Sequence, residues 1–162
     1  MTDNEGQSPR RRELHFDSLS QAVAEIESLA KTQTVTVGKF SFPQIVDHFA
    51  HTFDISTGRA VAPKVPWLIR MIMASMTKRF ATKPMKPGYQ LPKHAQAFFW
   101  DHNATDLESA MTHFREAYQH YRHTDPLPRH PLFGVIPKSR NEQIQCRHME
   151  LHLSFVHPKP VP

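Results

Sequence analysis

The sequence predicts an all-α protein, a single helical bundle domain from about residue 12 to 157, carrying an extra short helix or long loop insertion at 82–104. Three observations carry this. All 14 prolines lie outside five windows, 10–42, 44–62, 67–83, 93–125 and 138–157, and proline breaks helix interiors. Within the windows, apolar residues recur at i, i+3 and i+4, the spacing of one helix face. Four of the windows carry Ser or Thr followed three residues later by Gln or Glu, the pattern of a capping box. Strand signal is confined to Thr34-Val35-Thr36-Val37, a brief alternation within a connector.

The first helix places Leu19, Ala22, Val23, Ile26, Leu29 and Ala30 on one face, with Ser18 and Gln21 as its start signal. The second opens at Ser41 with Gln44 and tolerates Pro43 in its first turn; Gly58 ends it. The third, over about 66–81, is apolar on most sides and so is expected at the centre of the bundle. The fourth opens with Thr105 and Glu108 and runs to about His123. The last opens with Ser139 and Glu142 and is closed by Pro158. The connections at 82–104 and 125–138 are long enough to serve as pocket walls. Phe98-Phe99-Trp100 and Leu132-Phe133 are costly to leave in water, so both segments are expected to fold over an end of the bundle.

Composition narrows the function classes. A length of 162 residues with 39 % apolar content suits one packed domain. Five glycines and one cysteine exclude a disulfide scaffold and a cysteine zinc finger. The apolar run 65–76 contains Arg70 and falls short of the roughly 20 residues of a membrane span, so no membrane partner is expected. The first residues, MTDNEGQSPRRR, have no apolar core of a secretory signal, which points to a cytoplasmic setting. Net charge is only +5, and its one dense run, Arg10-Arg11-Arg12, sits at the end of a segment expected to be a disordered basic tail over 1–11. Residues 158–162 read as a second tail. With no basic–aromatic interleaving and no reading motif, nucleic acid is not an expected partner.

Twelve histidines are the unusual count, and helix faces sort them. In the fourth helix, His113, His120 and His123 lie with Glu116 opposite the apolar stripe of Leu107, Ala110, Met111, Phe114 and Tyr121, a solvated face. In the last helix, His148 and His152 stand four apart at the edge of the inward arc of Ile144, Leu151 and Phe155. Two rings one turn apart on one face can converge on one ion, as in helical zinc sites. Cys146 points roughly opposite and reads as an inert thiol. In the second helix, His48 falls within the buried arc of Phe42, Ile45, Phe49 and Phe53, while His51 sits at the rim. His48, His148 and His152 are therefore the expected metal ligands, since bundle interiors are where helical proteins build such sites.

Two of these segments, and a third, resemble a known family. Phe40-Ser41-Phe42-Pro43-Gln44-Ile45-Val46-Asp47-His48-Phe49-Ala50 is similar to the second-helix histidine motif of the DinB/YfiT-like superfamily. Arg147-His148-Met149-Glu150-Leu151-His152-Leu153-Ser154-Phe155 resembles its final-helix H-x-x-x-H, and His130-Pro131-Leu132-Phe133-Gly134 resembles a stretch of an uncharacterised branch. The resemblance covers roughly residues 12–157. It implies a DinB-like four-helix bundle with a divalent metal held near one end by His48, His148 and His152. Characterised members include thiol-dependent S-transferases and isomerases. The expected function is a divalent-metal-dependent enzyme, a small-molecule transferase or hydrolase with a thiol as one candidate co-substrate. The alternative is a non-catalytic metal-binding or stress-related protein. Zinc, nickel, iron and manganese all accept imidazole, and a homodimer is compatible with the family.

Overall fold

A computed structural model describes residues 10–88, 93–100 and 106–159, with the side chains of residues 94 and 95 outside the described set. Within these, the chain is mostly helical. The elements in order are α1 (Leu19–Ala30), β1 (Thr34–Thr36), α2 (Phe42–Ser56), α3 (Trp67–Ser75), α4 (Thr77–Thr82), α5 (Lys93–Phe99), α6 (Leu107–His123), α7 (Lys138–Leu153) and β2 (Val156–Pro158). No helix of the described residues is long and apolar enough to cross a membrane.

Four long helices share one core. α2 lies along α6, and α7 packs against α1 and α4. Phe49, Phe53, Phe114, Tyr121, Ile26 and Met149 are fully buried between them. Phe53 meets Tyr121 at 4.9 Å and Phe114 at 5.9 Å between ring centroids. The Tyr121 hydroxyl, also buried, donates to Asn141 Oδ1 at 2.8 Å across to α7. Tyr121→Phe should cost about 1–2 kcal/mol, because the Asn141 carbonyl loses its donor in a dry site. Urea unfolding of the two proteins at one pH checks this.

Local start signals decide where two of the helices begin. Ser18 accepts from the Gln21 N–H, although Gln21 reaches back to the Asp17 N–H rather than to Ser18 itself. At Ser41 the capping box is complete in both directions. α2 ends where Gly58, at φ 77°, takes the left-handed conformation that glycine adopts without steric cost.

Several expectations are corrected. α6 is capped by Asp106, which accepts from the Ser109 N–H at 2.8 Å; Thr105 lies outside the described residues. α7 begins at Lys138 after Pro137, with no side-chain cap at Ser139. The expected third helix breaks at Met76 into α3 and α4, and it is not central. α3 buries none of its residues, whereas α4 inserts Thr77 and Ala81. Apolar content had suggested burial, but only α4 packs extensively on a long helix, α7.

The chain ends are tied together. β1 pairs antiparallel with β2 in the register Thr34 to Pro158, Val35 to His157 and Thr36 to Val156, and the Lys159 N–H donates to Gln33 O. Ordered structure thus runs past residue 157; residues 160–162 lie outside the described set. Of the tail expected over 1–11, residues 1–9 also lie outside it. Arg11 Nε donates to Ser154 Oγ at 3.0 Å with its guanidinium over the Phe155 ring, and Arg12 bonds Val156 O and Glu25. The arginine run therefore ends as a strap across the end of α7. Further on, Phe16 is fastened to α7 by two buried side chains: its N–H donates to Glu150 Oε1 at 2.6 Å, and Arg147 Nη2 donates both to Phe16 O and to Glu150 Oε1.

Candidate metal centre

α2 and α7 bring His48, His148 and His152 together. His48 sits a turn and a half into α2, within the face that carries Ile45 and Phe49 into the core. His148 and His152 are one turn apart on α7, and both turn toward α2. His148 Nε2 is 3.1 Å from His48 Nε2 and 3.0 Å from His152 Nε2, so three ring nitrogens converge on one small volume.

Protons cannot satisfy this arrangement. His48 Nδ1 stands 3.0 Å from the Phe99 carbonyl, which can only accept, so that nitrogen carries the proton and Nε2 presents a lone pair. The single Nε2 of His148 then faces two neighbouring Nε2 atoms. Between neutral rings, at most one of those contacts is a full hydrogen bond. Burial keeps all three rings neutral: His48 and His152 fall well below the ordinary histidine range, and His148 drops to about 4. Neutral imidazoles with lone pairs aimed at one point are the donor set of a divalent metal. Imidazoles about 2.1 Å from one ion place their nitrogens roughly 3.0–3.4 Å apart, which matches the spacing seen here.

The insertion supplies the wall. Trp100, buried, stacks on His48 at 4.1 Å and on Phe40 at 3.5 Å between ring centroids, and its edge meets His152 at 5.2 Å. Phe99 touches His48 and Phe98 touches His51. Residues 98–100 thus close over the histidines as expected. Phe133 does not join them. It stacks on His130 and meets Phe80 of α4. In that segment His130 Nδ1 accepts from the N–H groups of Leu132 and Phe133, and His130 and Gly134 exchange both backbone hydrogen bonds. The HPLFG stretch is a self-closed turn buttressing α4. Burial lowers His130 to about 4, which keeps Nδ1 an acceptor.

Beside the three histidines lies a charged network that helix projection had missed. His113 was expected on a solvated face with His120 and His123. Those two are exposed, but His113 is half-buried between two carboxylates of α2. Its Nδ1 donates to Asp47 Oδ1 at 2.7 Å and its Nε2 to Asp54 Oδ2 at 2.8 Å. His51 Nε2 reaches the other Asp47 oxygen at 3.2 Å, and Arg59 Nε stands 3.5 Å from Asp54 Oδ1. The hydrogen bonds from His113 and His51 hold Asp47 well below the usual carboxylate range. Those to Asp47 and Asp54 raise His113 to about 9 against the opposing effect of burial. The available sequence signal was Asp47, His51 and Asp54 at i, i+4 and i+7 on one face of α2, which marks a polar seam facing a partner helix.

A pH dependence follows. The folded pKa of His113 lies above its ordinary 6.5, so the ion pair's contribution is complete below that value and is lost as pH rises through about 9. The melting temperature of His113→Gln should lie furthest below wild type near about pH 6 and draw level near about pH 10. Calorimetry of both proteins at the two pH values checks it.

Cys146 is buried, and burial pushes its thiol up to about 11, so it is a packing residue rather than a nucleophile.

Among comparisons with known proteins, one family model, described as a protein of unknown function (DUF1569), matches residues 8–159. No curated protein matches the chain, and no solved structure does.

Proposed function

We propose that this chain, which belongs to the DUF1569 family, is a divalent-metal-dependent enzyme acting on a small molecule by hydrolysis or group transfer, built on a DinB/YfiT-like four-helix bundle of α1, α2, α6 and α7. The observation that carries the reading is the convergence of three Nε2 atoms whose two contacts no proton arrangement of neutral rings satisfies together. Zinc, nickel, iron or manganese suits the donor set. Support for the bundle comes from the helix order and from the second-helix and final-helix histidine motifs, which supply the converging rings.

Three protein ligands leave at least one coordination position for water or substrate, the pattern of catalytic rather than structural zinc. When bound, such an ion supplies Lewis acidity and favours the ionised form of a water or thiol. The residues of the chain do the rest. The Phe99 carbonyl fixes the His48 tautomer and hence the direction of its lone pair. Trp100 and Phe40 keep water from the His48 face. His148 and His152 are half-buried, and a substrate would have to reach the ion from their side. Asp47 and His113 lock the turn of α2 that carries His48.

Cobalt(II) tests the open position. Protein loaded with cobalt should show visible bands that change on adding a low-molecular-weight thiol, with a new thiolate-to-metal charge-transfer absorption. Bands indifferent to thiol, water analogues and small anions alike would mean a closed site, and the catalytic reading would give way to a non-catalytic metal-binding or stress-related protein.

A further inference from the structure

α3 is built inside out. A surface helix ordinarily turns its apolar face to the core, yet Trp67 is 69 % exposed, Leu68 52 %, Met71 57 % and Ile72 50 %. At about 100° per residue these four fall within an arc of roughly 140° pointing away from the protein, with Ile69 about 60° beyond its edge. An exposed apolar patch of this kind marks an interaction site.

Its charge surroundings are equally one-sided. Between Asp54 and Asp101 the chain contains no Asp or Glu but eight Lys or Arg. Lys64 before the helix and Lys78, Arg79, Lys83 and Lys86 after it are all exposed. A second copy of the chain docking through this face would oppose like charges with no acid in the stretch to offset them. The complementary partner is apolar below and anionic at its surface.

Although the sequence gives no membrane-spanning segment and led to no expected membrane partner, we propose that α3 docks on the surface of an anionic lipid bilayer, with Trp67, Leu68, Met71 and Ile72 entering the headgroup–acyl boundary and the flanking cations facing lipid phosphates and carboxylates. Nine residues make a helix about 14 Å long, less than half the hydrocarbon thickness, so it lies in the plane of the interface and does not span it. The docking is independent of the metal site, since none of the three histidines belongs to α3 or its flanks.

The test uses the full chain without a tag and flotation with vesicles of phosphatidylcholine, alone or mixed with phosphatidylserine. Wild type should bind the mixed vesicles, bind phosphatidylcholine alone at least about ten-fold more weakly, and lose affinity as salt rises. Of the two tryptophans, Trp100 is buried and Trp67 exposed, so binding should blue-shift the emission, and Trp67→Phe should abolish that shift. Leu68→Ser/Ile72→Ser alters only exposed positions, so fold and metal content are retained while vesicle affinity drops by about ten-fold or more. Lys78→Gln/Arg79→Gln/Lys83→Gln should lower it comparably. Failure to bind mixed vesicles, equal binding to both vesicle types, or full binding by the Leu68→Ser/Ile72→Ser protein would overturn the proposal. So would a concentration-dependent wild-type dimer that this variant converts to monomer.

Discussion

Replacing His148 by alanine is expected to abolish stoichiometric binding of divalent metal. His148 is the middle ring of the three, within 3.1 Å of His48 Nε2 and 3.0 Å of His152 Nε2. Its loss leaves two donors separated by a gap, and affinity should drop by roughly 100-fold or more, beyond what loss of a supporting hydrogen bond costs. His152→Ala should behave alike. His51→Ala should weaken binding far less, because its ring bonds Asp47 rather than pointing into the cluster. His120→Ala/His123→Ala should leave metal content unchanged. Competition titration against a chromogenic chelator measures all four. Metal retained by His148→Ala but lost from the exposed-histidine variant would place the site elsewhere.

The second large effect concerns stability. Glu150→Ala should lower the unfolding free energy by about 3–5 kcal/mol, the range for removing one partner of a buried ion pair. Glu150 and Arg147 are both buried, and Glu150 Oε1 accepts from Arg147 Nη2 and from the Phe16 N–H, each at 2.6 Å. Without it, Arg147 remains as an uncompensated charge whose Nε already lacks a hydrogen-bond partner, and Phe16 loses its anchor on α7. Such a loss is a large share of the 5–15 kcal/mol typical of a domain. Glu150→Leu combined with Arg147→Met removes both charges at similar volume and should recover much of it. Urea unfolding of the single and double variants measures the difference. A change below about 1 kcal/mol for Glu150→Ala would mean that the pair is solvated in solution.

The sequence was most legible where signals were local. Ser18 and Ser41 cap the helices that their spacing to Gln21 and Gln44 predicts, and Gly58 ends α2 as expected. His48, His148 and His152 were legible from local spacing, His48 between Ile45 and Phe49 on the buried face of α2 and the other two one turn apart on α7. The expected inward arc of α7 was drawn too narrowly, since Leu151 and Phe155 are half-buried and Cys146, read as pointing away, is buried.

Features that depend on which elements become neighbours were less accessible. The pairing of residues 34–36 with 156–158 joins segments more than a hundred positions apart; the first carries only the brief alternation over 34–37, and the second carries no strand signal. His113 looked solvated from the stripe of its own helix; its partners Asp47 and Asp54 are on α2, and only the packing of α2 on α6 shows them. α3 reversed the usual inference, since apolar residues state a preference for leaving water without stating what they leave it for. The HPLFG segment was expected to fold over an end of the bundle together with 98–100, yet Phe133 found Phe80 of α4 instead.

The central claim is that three converging imidazoles hold one divalent ion. Elemental analysis of the wild-type chain, purified without a histidine tag and without chelator, tests it most directly. About one divalent ion per chain, displaced only slowly by chelator and restored by adding metal, is the predicted result. No ion after gentle purification, and none taken up on titration with zinc, nickel, iron or manganese, would contradict it.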